Sequence, residues 1–123
     1  MRDHKSLLAW QEAHAVVLSV IEVSRSHWRP HLGAVFGQVQ RASVSVMANI
    51  SEGYGWMDTA SFTRHLRIAY GSALETGDLL EVLHQSASVP ASVIQPIISR
   101  CHRSQRLLLG MLKRRHPRAP VHR

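Results

Sequence analysis

Acidic residues are missing from the last third of this chain. Glu81 is the final one, and the residues after it include Arg100, Arg103, Arg106, Lys113, Arg114, Arg115, Arg118 and Arg123. The first 81 residues are nearly balanced, with seven Lys/Arg against eight Asp/Glu, so the formal charge of +7 comes wholly from the C-terminal part. A charge segregated in this way predicts a molecule with one polyanion-facing end; the alternative is a solvated basic surface without a partner.

Cysteine is almost absent as well. A single Cys101 excludes an internal disulfide and any multi-cysteine metal site, and it fits a reducing cytoplasm, the expected location. Glycine and proline number only seven and five in 123 residues, and with 45% apolar residues the composition predicts a folded, helix-rich chain. Long apolar runs are lacking too. None approaches the roughly 18 residues of a membrane span, and Glu12, His14 and Glu22 interrupt the early apolar stretches before they could form the core of a signal sequence. The length suits one domain with one core, expected over residues 1–116, with residues 117–123 as a flexible basic tail.

What is present is helical periodicity. Leu7, Trp10, His14, Val17, Ile21 and Ser24 alternate spacings of three and four, which predicts a first helix ended by Trp28–Pro30. A second is expected from about His31 to Glu52, with Phe36, Val39, Ala42, Val46 and Ile50 on its apolar face and Gly53 closing it in a left-handed conformation. Asp58 or Thr59 can cap a third, which carries Phe62, Leu66, Ala69, Ala73, Thr76, Leu80 and Leu83. After a break at Ser86–Val89, Pro90 suits the first turn of a fourth, whose seam is Ile94, Ile97, Cys101, Ser104, Leu108 and Met111. Short connections between helices of about 20 residues favour antiparallel neighbours, so the expected fold is all-α, an up-down-up-down antiparallel four-helix bundle.

The second helix holds a further stripe beside its apolar face: Arg41, Ser45, Asn49 and Glu52. Arg41 and Glu52 lie about 16 Å apart along the axis, so each needs a partner on another helix or subunit. Glu75, Arg64 and Arg67 are the candidates. The stripe reads as a structural or interface polar seam, since buried polar groups are normally paired.

The block from Gln38 to Gly53, with Arg41-Ala42, Ser45, Ala48-Asn49-Ile50 and Glu52-Gly53, followed by Phe62, Ala69, Gly71-Ser72 and Glu75, resembles the bacterial four-helix-bundle family of ribosomal RNA intervening-sequence proteins. Leu7-Leu8-Ala9-Trp10-Gln11 is similar to its opening motif, and the likeness spans about residues 6 to 112. Met47 stands where the family usually has proline, and Gly77 replaces a frequent glutamate. The resemblance implies a homo-oligomeric ring, typically a homopentamer, with no catalytic activity. A distant relative of similar architecture, the accessory variability determinant of diversity-generating retroelements, binds nucleic acid and a reverse transcriptase, which implies an accessory role of that kind here.

The fourth helix points the same way on independent grounds. At 100° per residue its seam occupies one side, while Arg100, Arg103, Arg106, Lys113, Arg114 and Arg115 are assigned to nucleic-acid phosphates on the other. No aromatic residue interleaves with them, which disfavours base stacking and leaves phosphate or shape contacts with RNA or DNA. An acidic protein docking on the same face is the competing reading.

Enzymatic and metal chemistry find little footing. Glu81 and His84 match half of a di-iron motif, which needs two such pairs and two more carboxylates. His14 on a seam reads as a hydrogen-bonded core residue, and Cys101 as an inert packed thiol. No glycine-rich phosphate loop, nucleophile elbow or paired histidines on one helical turn occur, so neither catalytic residues nor a cofactor nor a metal is expected.

Overall fold

The computed structural model describes residues 3–57 and 59–115. Four helices follow one another: α1 (Leu8–Ser26), α2 (Gly33–Tyr54), α3 (Ala60–Gln85) and α4 (Ala91–Arg115), with single 3-10 turns at His4–Ser6 and Pro30–Leu32. Each packs on its sequence neighbours and α1 closes against α4, while among the described residues the Cα atoms of diagonal helices stay more than 8 Å apart. Cross-helix bonds such as Ser45 with Ser72 and Gln38 with Glu75 run in opposite sequence order, so α2 and α3 are antiparallel. The expected four-helix bundle is the fold. Asp58 and the expected tail, Pro117–Arg123, lie outside the described residues.

Local chemistry sets the helix ends. Thr59 caps α3 by accepting from the Phe62 amide at 3.4 Å, satisfying one orphan donor of the first turn. After α3 the Ser88 amide reaches back to the Leu83 carbonyl and Ala87 to His84, a Schellman closure. Ala87 holds the left-handed position that closure needs, at φ 58°. Pro90 then offers its carbonyl to the amides of Val93 and Ile94 and starts α4.

The interior has two apolar layers. One gathers Val16, Val20, Phe36, Val39, Leu80, Leu83, Ile94 and Ile98; the other Ala9, Ala13, Val46, Ile50, Phe62, Leu66, Ala69, Ala73 and Leu108. Between them sits a waist of small side chains, Ala13, Ser43, Thr76 and Ser104, around a cavity of about 10 Å³. Each fully buried large aliphatic or aromatic side chain in these layers contributes about 1.5–3 kcal/mol. Cys101 is buried among them, and its burial pushes the thiol up to about 11, so it is a packed, unreactive group.

The expected faces of α2 and α3 are all buried, as are Ile94, Ile97, Cys101, Ser104 and Leu108 on α4. The first helix differs. Its buried line is Ala9, Ala13, Val16, Val17, Val20, Val23 and Ser24, whereas Ile21 is 50% exposed. Trp10 and His14 sit on the flank, stacked at 4.7 Å, with the indole N–H donating to Ser51 Oγ. Small residues line the interior of α1, and the wide rings cover the seam from outside.

Gly53 is the second correction. It does not close α2 with a positive φ; the helix continues to Tyr54, and no glycine among the described residues takes a positive φ. Its role is proximity: a Cβ there would stand 2.8 Å from the His65 Cβ and 2.9 Å from Phe62 Cδ1. Gly77 works alike, leaving space for Gln105, whose amide donates to the Ala73 carbonyl at 3.0 Å. Met47 lies in an uninterrupted α2 and packs on the lower layer.

Gly53→Ala should therefore destabilise the bundle by about 1–3 kcal/mol through overpacking, although alanine is the better helix former. Gly71→Ala, where nothing lies within 4 Å, should instead stabilise it by about 1 kcal/mol. Chemical denaturation of the two variants checks the opposite signs.

Candidate functional site

Two interhelical faces hold the residues singled out in the sequence. The first lies between α2 and α3. Ser45 Oγ meets Ser72 Oγ at 2.8 Å; Asn49 Nδ2 donates to the Ser45 carbonyl at 2.9 Å; and His65 Nδ1 meets Asn49 Oδ1 at 3.0 Å. Because the Asn49 amide nitrogen is spent on Ser45, its oxygen accepts and His65 Nδ1–H donates. Glu52 Oε2 stands 3.9 Å from the same ring nitrogen. Further along, Gln38 bridges the remaining pair, donating to Glu75 at 2.6 Å while accepting from the Arg41 guanidinium at 3.0 Å.

Arg41, Ser45, Asn49, Glu52 and Glu75 thus share one seam, but not as direct ion pairs. Arg41 reaches Glu75 through Gln38, and Glu52 stands against His65. His65, Ser72 and Gln38 are members that sequence reasoning missed. The signal was present: His65, Ser72 and Glu75 repeat at seven and three, the spacing of one helix flank.

The second face carries α4. Arg106, Lys113 and Arg114 are exposed and form no hydrogen bond or ion pair within the described residues. Arg100 and Arg103 do. Glu12 on α1 accepts from Arg103 Nη1 at 3.2 Å through Oε1 and lies 3.6 Å from Arg100 Nη1 through Oε2. Arg115 is also committed: its Nε donates to Thr63 Oγ1 at 2.7 Å, its Nη2 donates to the Thr59 carbonyl at 2.9 Å, and its guanidinium lies 4.7 Å above the Phe62 ring. The six basic residues assigned to phosphates therefore divide. Three are unengaged, two share a carboxylate, and Arg115 staples the end of α4 to the start of α3.

Cations in the last turn of α4 also complement the helix dipole, which favours positive charge at a C-terminus. Beside them Leu7, Leu8, Leu107, Met111 and Arg114 line an open groove of about 220 Å³. Among the described residues no group of three or more His, Cys, Asp or Glu could hold a metal ion, and no helix is long and apolar enough to cross a membrane.

The seam makes a quantitative distinction. Asn49→Ala strands His65 in a part-buried site and should cost about 1–3 kcal/mol. Glu52, 69% exposed, should cost about 0.5 kcal/mol or less when changed to alanine. Thermal unfolding of both variants reads the difference.

Comparison with known proteins places this geometry. The family model described as 23S rRNA-intervening sequence protein matches residues 5–110. A crystal structure of a protein of unknown function from the S23 ribosomal protein family of Bacteroides thetaiotaomicron superposes with a TM-score of 0.74. At 21% identity it covers 86% of this chain and 96% of its own, and so shows the shared fold. No curated protein matches the sequence.

Proposed function

We propose that this chain, which belongs to the 23S rRNA-intervening sequence protein family, is a non-catalytic module that binds the phosphate backbone of nucleic acid through α4. The observation that carries the reading is the partition of charge on that helix: it has no acidic residue, and Arg106, Lys113 and Arg114 project from it without a protein partner among the described residues. A cluster of unneutralised cations keeps an atmosphere of counter-anions, and a polyanion that replaces them gains the entropy of ions released on both sides. The family's name ties it to ribosomal RNA, which makes RNA the first nucleic acid to test. The bundle supplies binding and not chemistry, so its natural setting is as an accessory to an enzyme that copies or processes nucleic acid, a reverse transcriptase being the candidate partner.

A homo-oligomeric ring is the second part of the proposal. Leu18, Ile21, Trp28, Val44, Trp56, Ile68, Leu74 and Val82 are exposed large apolar side chains on α1, α2, α3 and the connections between them. That is more apolar surface than a lone four-helix core of this size requires, and covering it against further copies would repeat the basic helix by symmetry. Repetition converts weak phosphate contacts into avidity. A pentamer is the expected ring, and light scattering should return several times the monomer's 13.8 kDa. A clean monomer at micromolar concentration would remove both the ring and the avidity.

Arg106→Glu with Lys113→Glu should leave helicity intact, because exposed charges contribute about 0–1 kcal/mol each to stability. Affinity for RNA should fall at least about tenfold at low salt, and the slope of log affinity against log salt should flatten by about 0.7–0.9 per lost contact. Equal losses across unrelated sequences identify phosphate contacts rather than base readout. Undiminished binding would reduce the face to solvated surface.

A further inference from the structure

We infer that Glu12 is a positioning residue that gathers Arg100 and Arg103 into a preformed two-guanidinium fork for consecutive phosphates of a nucleic-acid backbone; this rests on the reading of α4 as the binding helix. A carboxylate opposite a phosphate site would ordinarily weaken it. The geometry argues the reverse. The Glu12 side chain is only 14% exposed where α1 meets α4, so its carboxylate is held against the helix rather than offered to solvent. The two arginines are 47% and 61% exposed, so their remaining donors face outward.

Burial makes the pairing obligatory, because a part-buried carboxylate needs compensating positive charge. One guanidinium would leave an oxygen without it. Oε1 accepts from Arg103, while Oε2 is buried with no hydrogen bond, and the nearby Arg100 guanidinium supplies its charge. Arg100 and Arg103 are neighbours on the helix surface at a spacing of three, and alone their like charges would drive the long side chains apart. Glu12 draws both Nη1 atoms to opposite oxygens of one carboxylate and fixes their rotamers. Each guanidinium has five N–H donors, and the contact with Glu12 engages a single nitrogen, Nη1, of each. Arg106 lies one turn beyond Arg103 and extends the row, and the three arginines outweigh the single carboxylate by two charges.

A fork held in this way binds phosphate with less loss of side-chain freedom, since each long side chain otherwise gives up entropy on binding. Net charge and pre-organisation then predict opposite signs for one substitution. Glu12→Gln removes a negative charge from the protein, yet offers one acceptor oxygen where Glu12 has two, and its amide nitrogen repels the second guanidinium. Attraction by charge alone makes Glu12→Gln bind more tightly. Loss of the fork makes it bind more weakly, by about three- to tenfold.

The test is fluorescence anisotropy of full-length protein with a short fluorescein-labelled oligouridylate at fixed low salt, alongside Nε–Hε spectra of the arginine side chains and a melting curve. The expected result is weaker binding by Glu12→Gln, with the Arg100 and Arg103 signals collapsing to the unstructured position while the melting temperature holds. Arg100→Lys with Arg103→Lys keeps both charges but removes the planar fork, so it should weaken binding comparably, and it decides the question if Glu12→Gln fails to fold. Equal or tighter binding by either variant overturns the fork and leaves α4 as a diffuse cationic face. No binding by the unmodified protein overturns the fork and the nucleic-acid reading together.

Discussion

The contact between the first and last helices is the constraint on which this molecule depends. Each of the other three packings joins sequence neighbours through a short turn, so a hairpin brings them together at small entropic cost. The packing of α1 on α4 must instead bring residues such as Glu12 and Arg103, 91 positions apart, into hydrogen-bond range. The buried line of α1 is made of small side chains: Ala9, Ala13, four valines and Ser24. Closing the square also decides what the basic helix can do. Arg100 and Arg103 belong to the interhelical edge, whereas Arg106 and Lys113 lie beyond it and stay unengaged.

The two edges of the bundle carry different electrostatics. Between α2 and α3 polar groups satisfy one another: serine on serine, asparagine on histidine, glutamine between arginine and glutamate. Such a chain fixes register, because sliding α3 by one residue would break every link at once. The contact of Glu52 with His65 is long, at 3.9 Å, and the carboxylate is exposed, so it contributes little. On the α1–α4 side a single part-buried carboxylate meets two guanidiniums, and the excess positive charge is left to solvent ions.

Much of this was legible in the sequence, and the limits have physical causes. The number of helices and the apolar faces of α2, α3 and α4 follow from spacing, because Phe36, Ile50, Leu66 and Leu108 leave no other side to bury. The rotation of α1 did not follow, since Trp10, His14 and Ile21 outweigh alanines in any count of apolar bulk, yet the alanines and valines are the residues the bundle buries. Gly53 misled for a similar reason. Glycine near a helix end ordinarily signals backbone freedom, while here it signals the nearness of Phe62 and His65 on α3. The seam on α2 was visible but its partners were sought among charges, so a histidine and a serine were overlooked. The Glu12 contacts were beyond reach, because only the register of α1 against α4 places residue 12 beside 103.

That register gives the charge asymmetry its consequence. A helix with six cations and no acid is uncomfortable in isolation, and the protein relieves it unevenly. Arg115 is absorbed by a hydroxyl, a carbonyl and an aromatic ring, neutral groups that orient it without cancelling its charge. Arg100 and Arg103 share one negative charge between them. Arg106, Lys113 and Arg114 are left to ions from solution. The helix therefore stays folded by its apolar seam and its neighbours, not by ion pairing, and its outward charge costs the fold little because solvent screens it. Along α4 the paired Arg100 and Arg103 come first, the free Arg106, Lys113 and Arg114 follow, and the tethered Arg115 closes the row. The adaptable cations are thus framed by ordered ones, held at one end by the α1–α4 packing that closes the bundle and at the other by the start of α3.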